Sequence, residues 1–164
     1  MTRKHVFRPS LSPELEDRIA LSSVGTVHVA AAHPTPAATP VLKHQTLNDV
    51  NRSIDTAFNR FNKEYASELT NLNRSGNTLQ FEAKFTQSVT RLRSSLASQA
   101  TRIPGGSSTL NVELQHRVDS LVHDLQTSKG IASSNLIRSD QSGAHADVGT
   151  FVHDETAKGD LSIR

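Results

Sequence analysis

The chain has 164 residues, 35% hydrophobic and 21% charged, and a formal net charge of +2. It contains no Cys, which excludes a disulfide framework, a thiolate zinc or iron–sulfur site and a thiol nucleophile. Leu, Ile, Val and Phe together number 40, little above the level (roughly a fifth of the chain) where a sequence fails to bury enough apolar surface to fold. The composition thus predicts one modest domain with disordered ends, and the charge is too small to imply nucleic acid by itself.

Residues 1–45 hold five of the six prolines, and Pro34, Pro36 and Pro40 stand among Ala and Thr as a semi-extended linker. Ahead of them, Arg3, Lys4 and Arg8 give a basic start. Ile19 to Ala32 is a run of fourteen uncharged residues, too short to span a membrane, and Ala30-Ala31-Ala32 offers a small-residue cleavage site. Phe7-Arg8-Pro9-Ser10, followed by Leu15-Glu16-Asp17-Arg18-Ile19-Ala20-Leu21-Ser22, resembles the short amino-terminal LEPR-XLL-type motif of planctomycete exported and surface proteins. The chain carries Asp17 where that motif commonly has Pro, and Ala20 where it commonly has Leu. The resemblance covers residues 7–22 and implies a destination, export or the cell envelope in place of the cytoplasm, but no activity. The residues themselves predict a disordered leader over 1–45.

Helical periodicity begins at Leu47. Val50, Ile54, Phe58, Phe61, Tyr65, Leu69 and Leu72 follow at spacings of 3, 4, 4, 3, 4, 4 and 3, an eleven-residue repeat that keeps the stripe nearly straight. A second stripe runs through Phe81, Phe85, Val89, Leu92, Leu96, Ala100 and Ile103, and a third through Leu110, Leu114, Val118, Leu121 and Leu125. These predict helices over about 46–74, 78–103 and 109–129. Thr46 with Asp49 three residues on forms a near capping box. Gly76 supplies a left-handed stop and Asn77 the next N-cap. Pro104-Gly105-Gly106 ends the second helix, and Lys129-Gly130 the third.

The stripes mirror one another. Reflection about position 75 pairs 54 with 96, 58 with 92 and 65 with 85. Reflection about 105 pairs 96 with 114, 92 with 118 and 85 with 125. Both mirror points fall on Gly-containing breaks, so antiparallel helices would stack their apolar residues in level layers. The predicted fold is all-α: an up-down-up three-helix bundle with 4-4-3 apolar repeats over residues 46–137, flanked by a disordered leader and a disordered acidic tail over 138–164. The alternative is one unbroken helix over 46–103 that packs against copies of itself.

Three constellations bear on chemistry. His116, Asp119 and His123 share one face of the third helix and are of metal-ligating type; that face points away from the apolar stripe, which favours a solvated polar face and no metal site. Lys84, Arg91 and Arg102 line one flank of the second helix, where no acidic residue occurs from 83 to 102. Such a stripe can track phosphates, but without interleaved aromatics it reads first as interhelical ion pairing. Phe58, Phe61, Tyr65, Phe81 and Phe85 read as core in preference to a cofactor pocket. No phosphate loop, nucleophile elbow or His-Glu-x-x-His sequence is present. The chain therefore reads as a non-enzymatic helical structural or protein-interaction module without a cofactor or transmembrane span, acting on a protein partner or on copies of itself. The alternative is a nucleic-acid-binding helical protein.

Overall fold

A computed structural model describes residues 38–128 and 133–164. Four helices, α1 (His44–Ser75), α2 (Thr78–Ala100), α3 (Thr109–Thr127) and α4 (Ser133–Lys158), are framed by two short strands, β1 (Val41–Leu42) and β2 (Ser162–Ile163). Among the described residues the fold is all-α apart from that strand pair. Each helix packs against its neighbours in sequence, and α4 closes the ring against α1. The bundle is up-down-up-down, with four helices in place of the three expected.

The three expected stripes form its core. Val50, Ile54 and Phe58 are fully buried, as are Leu96, Leu110, Leu114 and Val118. Tyr65 and Phe85, one of the mirrored pairs, have ring centroids 5.6 Å apart. The continuous 46–103 helix does not form, because Gly76 takes φ 67° and its N–H closes α1 on the Leu72 carbonyl. Asn77 then caps α2 by accepting from the Gln80 N–H at 3.0 Å. Two boundaries differ from expectation. α1 starts at His44, with Lys43 at its N-cap and no side-chain cap, so Thr46 lies inside the helix. α2 ends at Ala100, three residues early, although Ile103 stays buried below it. The expected stop at Lys129-Gly130 lies outside the described residues.

The expected disordered tail over 138–164 is overturned. Residues 133–158 form α4, which buries Ile137, Ala144, Val148, Phe151 and Val152. The tail escapes a periodicity reading because two of its inward positions are small or polar and its outward face carries no contrasting block of charge. Its apolar positions nonetheless continue the mirror. Reflection about 131 pairs 125 with 137, 118 with 144, 114 with 148 and 110 with 152.

The boundary at residue 45 also moves. β1 pairs in parallel with β2, Val41 opposite Ser162 and Leu42 opposite Ile163. The pairing extends through His44 N–H to the Arg164 carbonyl at 2.8 Å and Arg164 N–H to the Leu42 carbonyl at 3.0 Å. Leu42 and Leu161 are both buried. At the same end the α2–α3 turn passes Phe151 at Gly105, whose φ of 77° a side chain would strain. The expected leader, including the motif at residues 7–22 and the run to Ala32, lies outside the described residues, as do Pro34 and Pro36. No helix of the described residues is long and apolar enough to cross a membrane.

One substitution and one deletion test this packing by thermal and urea unfolding. Phe58→Ala, at a fully buried site, is expected to cost about 3–5 kcal/mol. Deletion of residues 133–164 should abolish the cooperative transition, because it uncovers α1 and α3 together. A truncated chain that still melted cooperatively would mean that three helices suffice.

Candidate functional site

Interhelical polar contacts determine which surface groups remain free. Between α1 and α2, Glu64 accepts from Ser88 Oγ at 2.6 Å, from Arg91 Nη1 at 3.1 Å and from Arg60 Nε at 2.9 Å. Burial opposes its charge, but the Ser88 and Arg60 hydrogen bonds and the two guanidinium charges hold its carboxyl below the ordinary range. Between α2 and α3, Arg93 pairs with Asp119. Exposed pairs of this kind contribute about 0–1 kcal/mol each.

The α3–α4 seam is stronger. Arg117 donates to Asp147 through Nε at 2.6 Å and Nη2 at 2.8 Å, a two-pronged contact, and its Nη1 lies 3.6 Å from Asp140. The hydrogen bonds from the guanidinium to Asp147 raise the Arg117 pKa further. Gly143 lies between the two carboxylates, and a Cβ there would collide with the guanidinium. Burial, with Asp124 and Asp147 nearby, pushes the Asp140 carboxyl up in spite of Arg117. Asp147 is therefore the main anchor and Asp140 the weaker neighbour.

On the other flank of α4, His145 meets α1. Its Nε2 lies 2.7 Å from Asp55 Oδ1 and its Nδ1 3.1 Å from Asn51 Oδ1, while Gln141 Nε2 donates to the same Asp55 oxygen at 2.6 Å. Burial opposes the Asp55 charge, but the bonds from His145 and Gln141 bring its pKa below the ordinary value.

These contacts divide the sequence candidates. Of the basic stripe, Arg91 is held by Glu64 and Arg102 donates to Gln99 at 3.0 Å. Lys84 is exposed on its own turn. Of the candidate metal face, Asp119 is taken by Arg93, while His116 faces the outer side of the Arg117 seam and His123 is exposed. Among the described residues, no three His, Asp or Glu side chains converge as a metal ligand set. The five aromatics enter the core, and Phe81 and Phe85 stack at 5.9 Å.

Two grooves remain. One, of about 380 Å³, opens at the α1–α2 hairpin end and is lined by Tyr65, Leu69, Leu72, Phe81, Phe85 and Leu125 among others. By the mirror about 105, Thr127 lies level with residue 83. The hairpin therefore runs on past the described end of α3 by about two turns, roughly 12 Å, and its inward apolar residues stay half-buried there. Leu79 on the same hairpin is 78% exposed. The second groove is polar and lies along the α1–α4 seam. The sequence reading missed Arg117, Asp55 and His145. The signal that could have found Arg117 is the mirror about 131, which brings α4 into register with α3; Asp55 and His145 meet only once α4 also lies beside α1.

Fold and grooves together define a four-helix up-and-down bundle whose last helix is stapled by polar contacts on both flanks. No protein-family model, curated protein or solved structure matches the chain.

The staples carry a pH signature. Asp55 and Glu64 have folded pKa values below their ordinary 3.8 and 4.5, so their stabilisation is full above those values and is lost as acid titrates the folded protein through the lowered ones. Asp140 runs the other way: its contribution is present below 3.8 and is lost as pH rises through its raised value. Urea unfolding should accordingly show stability falling from about pH 5 towards pH 2, with a shallower fall in Asp55→Asn. At pH 7, Asp147→Ala should cost about 1.5–3 kcal/mol and Asp140→Asn clearly less. An equal cost at 140 and 147 would contradict the assigned anchor.

Proposed function

We propose that the chain is a non-enzymatic helical interaction module of an exported or envelope-associated protein, and that it engages a partner through the groove at the α1–α2 hairpin end. The observation that carries the reading is that groove: Leu69, Leu72 and Phe81 remain half-buried together where the hairpin runs on past the described end of α3, while most stripe positions elsewhere are buried. Half-exposed aliphatic and aromatic side chains around one concavity suit the apolar face of an amphipathic helix, anchored by one or two large side chains. The resemblance at Phe7–Ser22 supports the destination. Nucleic-acid binding is the weaker reading, because Glu64 neutralises the central Arg91 of the basic stripe.

The test is selection of displayed amphipathic helical peptides on the full chain. Binders should centre on Leu or Phe anchors and should lose at least tenfold in affinity with Leu72→Asp, whose helical content and melting are checked in parallel. Peptides that bind Leu72→Asp equally well would overturn the reading. Sedimentation that shows a dimer abolished by the same substitution would reassign the groove to self-association.

The basic stripe is tested separately. Changing Lys84, Arg91 and Arg102 together to Gln should leave DNA and RNA retention unchanged. Near-micromolar native binding whose salt slope drops by about 0.9 per lost contact on duplex DNA would promote the nucleic-acid reading.

A further inference from the structure

The polar groove along the α1–α4 seam has a volume of about 500 Å³ and is independent of the hairpin groove. α1 contributes Asp55, Asn59 and Asn62, at i, i+4 and i+7. α4 contributes His145, Ser142 and Arg138, which run the opposite way over the same seven-residue interval in steps of three and four. The two helices are antiparallel, so these residues form three rungs: Asp55 with His145, Asn59 with Ser142, and Asn62 with Arg138. The rungs span two helical turns, about 10 Å along the groove. One end carries a carboxylate and the other a guanidinium, with an amide and a hydroxyl between them.

Most of this polar capacity is unused. His145 and Gln141 both bind Oδ1 of Asp55, which leaves Oδ2 as an acceptor. Among the described residues, Asn59, Asn62, Ser142 and Arg138 make no side-chain hydrogen bond and Arg138 no ion pair, in contrast to Arg117, whose guanidinium is consumed on the opposite flank of α4. The lowered Asp55 pKa keeps the carboxylate end charged at neutral pH.

We propose that this groove binds the zwitterion of a short peptide of dipeptide length. The peptide carboxylate lies on Arg138 and Asn62, in the planar geometry that guanidinium favours. Its ammonium group donates to Asp55 Oδ2. Its single amide faces Asn59, whose side chain offers the matching donor and acceptor. An extended dipeptide spans about 7 Å, and a hydrogen bond of about 3 Å at each end lets it bridge the interval between the end rungs. The lining is mainly polar, which selects small side chains such as Ala.

The experiment is a titration of the full, ¹⁵N-labelled chain with L-alanyl-L-alanine, followed by amide shifts and calorimetry. Expected are saturable shifts at residues 59, 62, 138 and 142, with at least tenfold weaker binding for the N-acetylated dipeptide, for the dipeptide amide and for alanine alone. Arg138→Gln, at an exposed position, should keep the native melting temperature and reproduce the loss seen with the amide. Absence of shifts at these four residues at millimolar dipeptide overturns the proposal. So does binding that either cap, or Arg138→Gln, leaves unchanged.

Discussion

The bundle depends on the cover that α4 provides for the trough between α1 and α3. Val50, Ile54, Leu110 and Leu114 are completely buried, and three helices alone would leave such residues open to water at about 25 cal/mol for each Å² of apolar surface. α4 is poorly supplied for that role. Its contribution to the core is Ile137, Ala144 and Val148 along most of its length, with Phe151 and Val152 only near the end. Small residues bring its backbone close to its neighbours, and polar contacts hold its flanks. The Arg117 fork secures one side, and the His145 and Gln141 contacts with Asp55 secure the other.

The strand pair answers a related need. With little apolar surface, α4 gains from being anchored beyond its last turn, and β2 provides the anchor by pairing with β1 at the entry to α1. Leu42 and Leu161 then close the base of the core beside Ile103. First and last elements are joined directly, so the ring of helices closes through backbone hydrogen bonds as well as side-chain packing.

The two ends of the molecule are consequently unlike. The base is sealed by the strands and the α2–α3 turn, whereas at the opposite end the α1–α2 hairpin runs past the described end of α3 and leaves Leu69, Leu72 and Phe81 half-buried. The α1–α4 seam differs again, because the polar residues that replace an apolar contact there are only partly engaged with one another. An apolar concavity and a polar one thus arise from two departures from ideal bundle geometry: unequal helix lengths, and a closing helix with few large side chains.

For α1, α2 and α3, the sequence by itself determined helix type and the buried layers, since a 4-4-3 repeat of Leu, Ile, Val and Phe has one economical burial; it favoured a break at Gly76, and the structure decided against the unbroken helix over 46–103. It did not reveal α4. A helix whose inward positions between Ile137 and Val148 are Gln141 and Ala144 shows no stripe, and its order depends on Arg117, Asn51 and Asp55, which lie 23 to 94 residues away from their partners in sequence. The same holds for β1, two residues long and without meaning until β2 arrives beside it. Arg91, Asp119 and His116 had plausible chemistry as sequence. Only the tertiary structure decided that the first two are spent in ion pairs and that the groups left free, Asn59, Asn62 and Arg138, come from opposite ends of the domain. Local periodicity records what each helix buries; long-range pairing alone decides which polar groups remain for a partner.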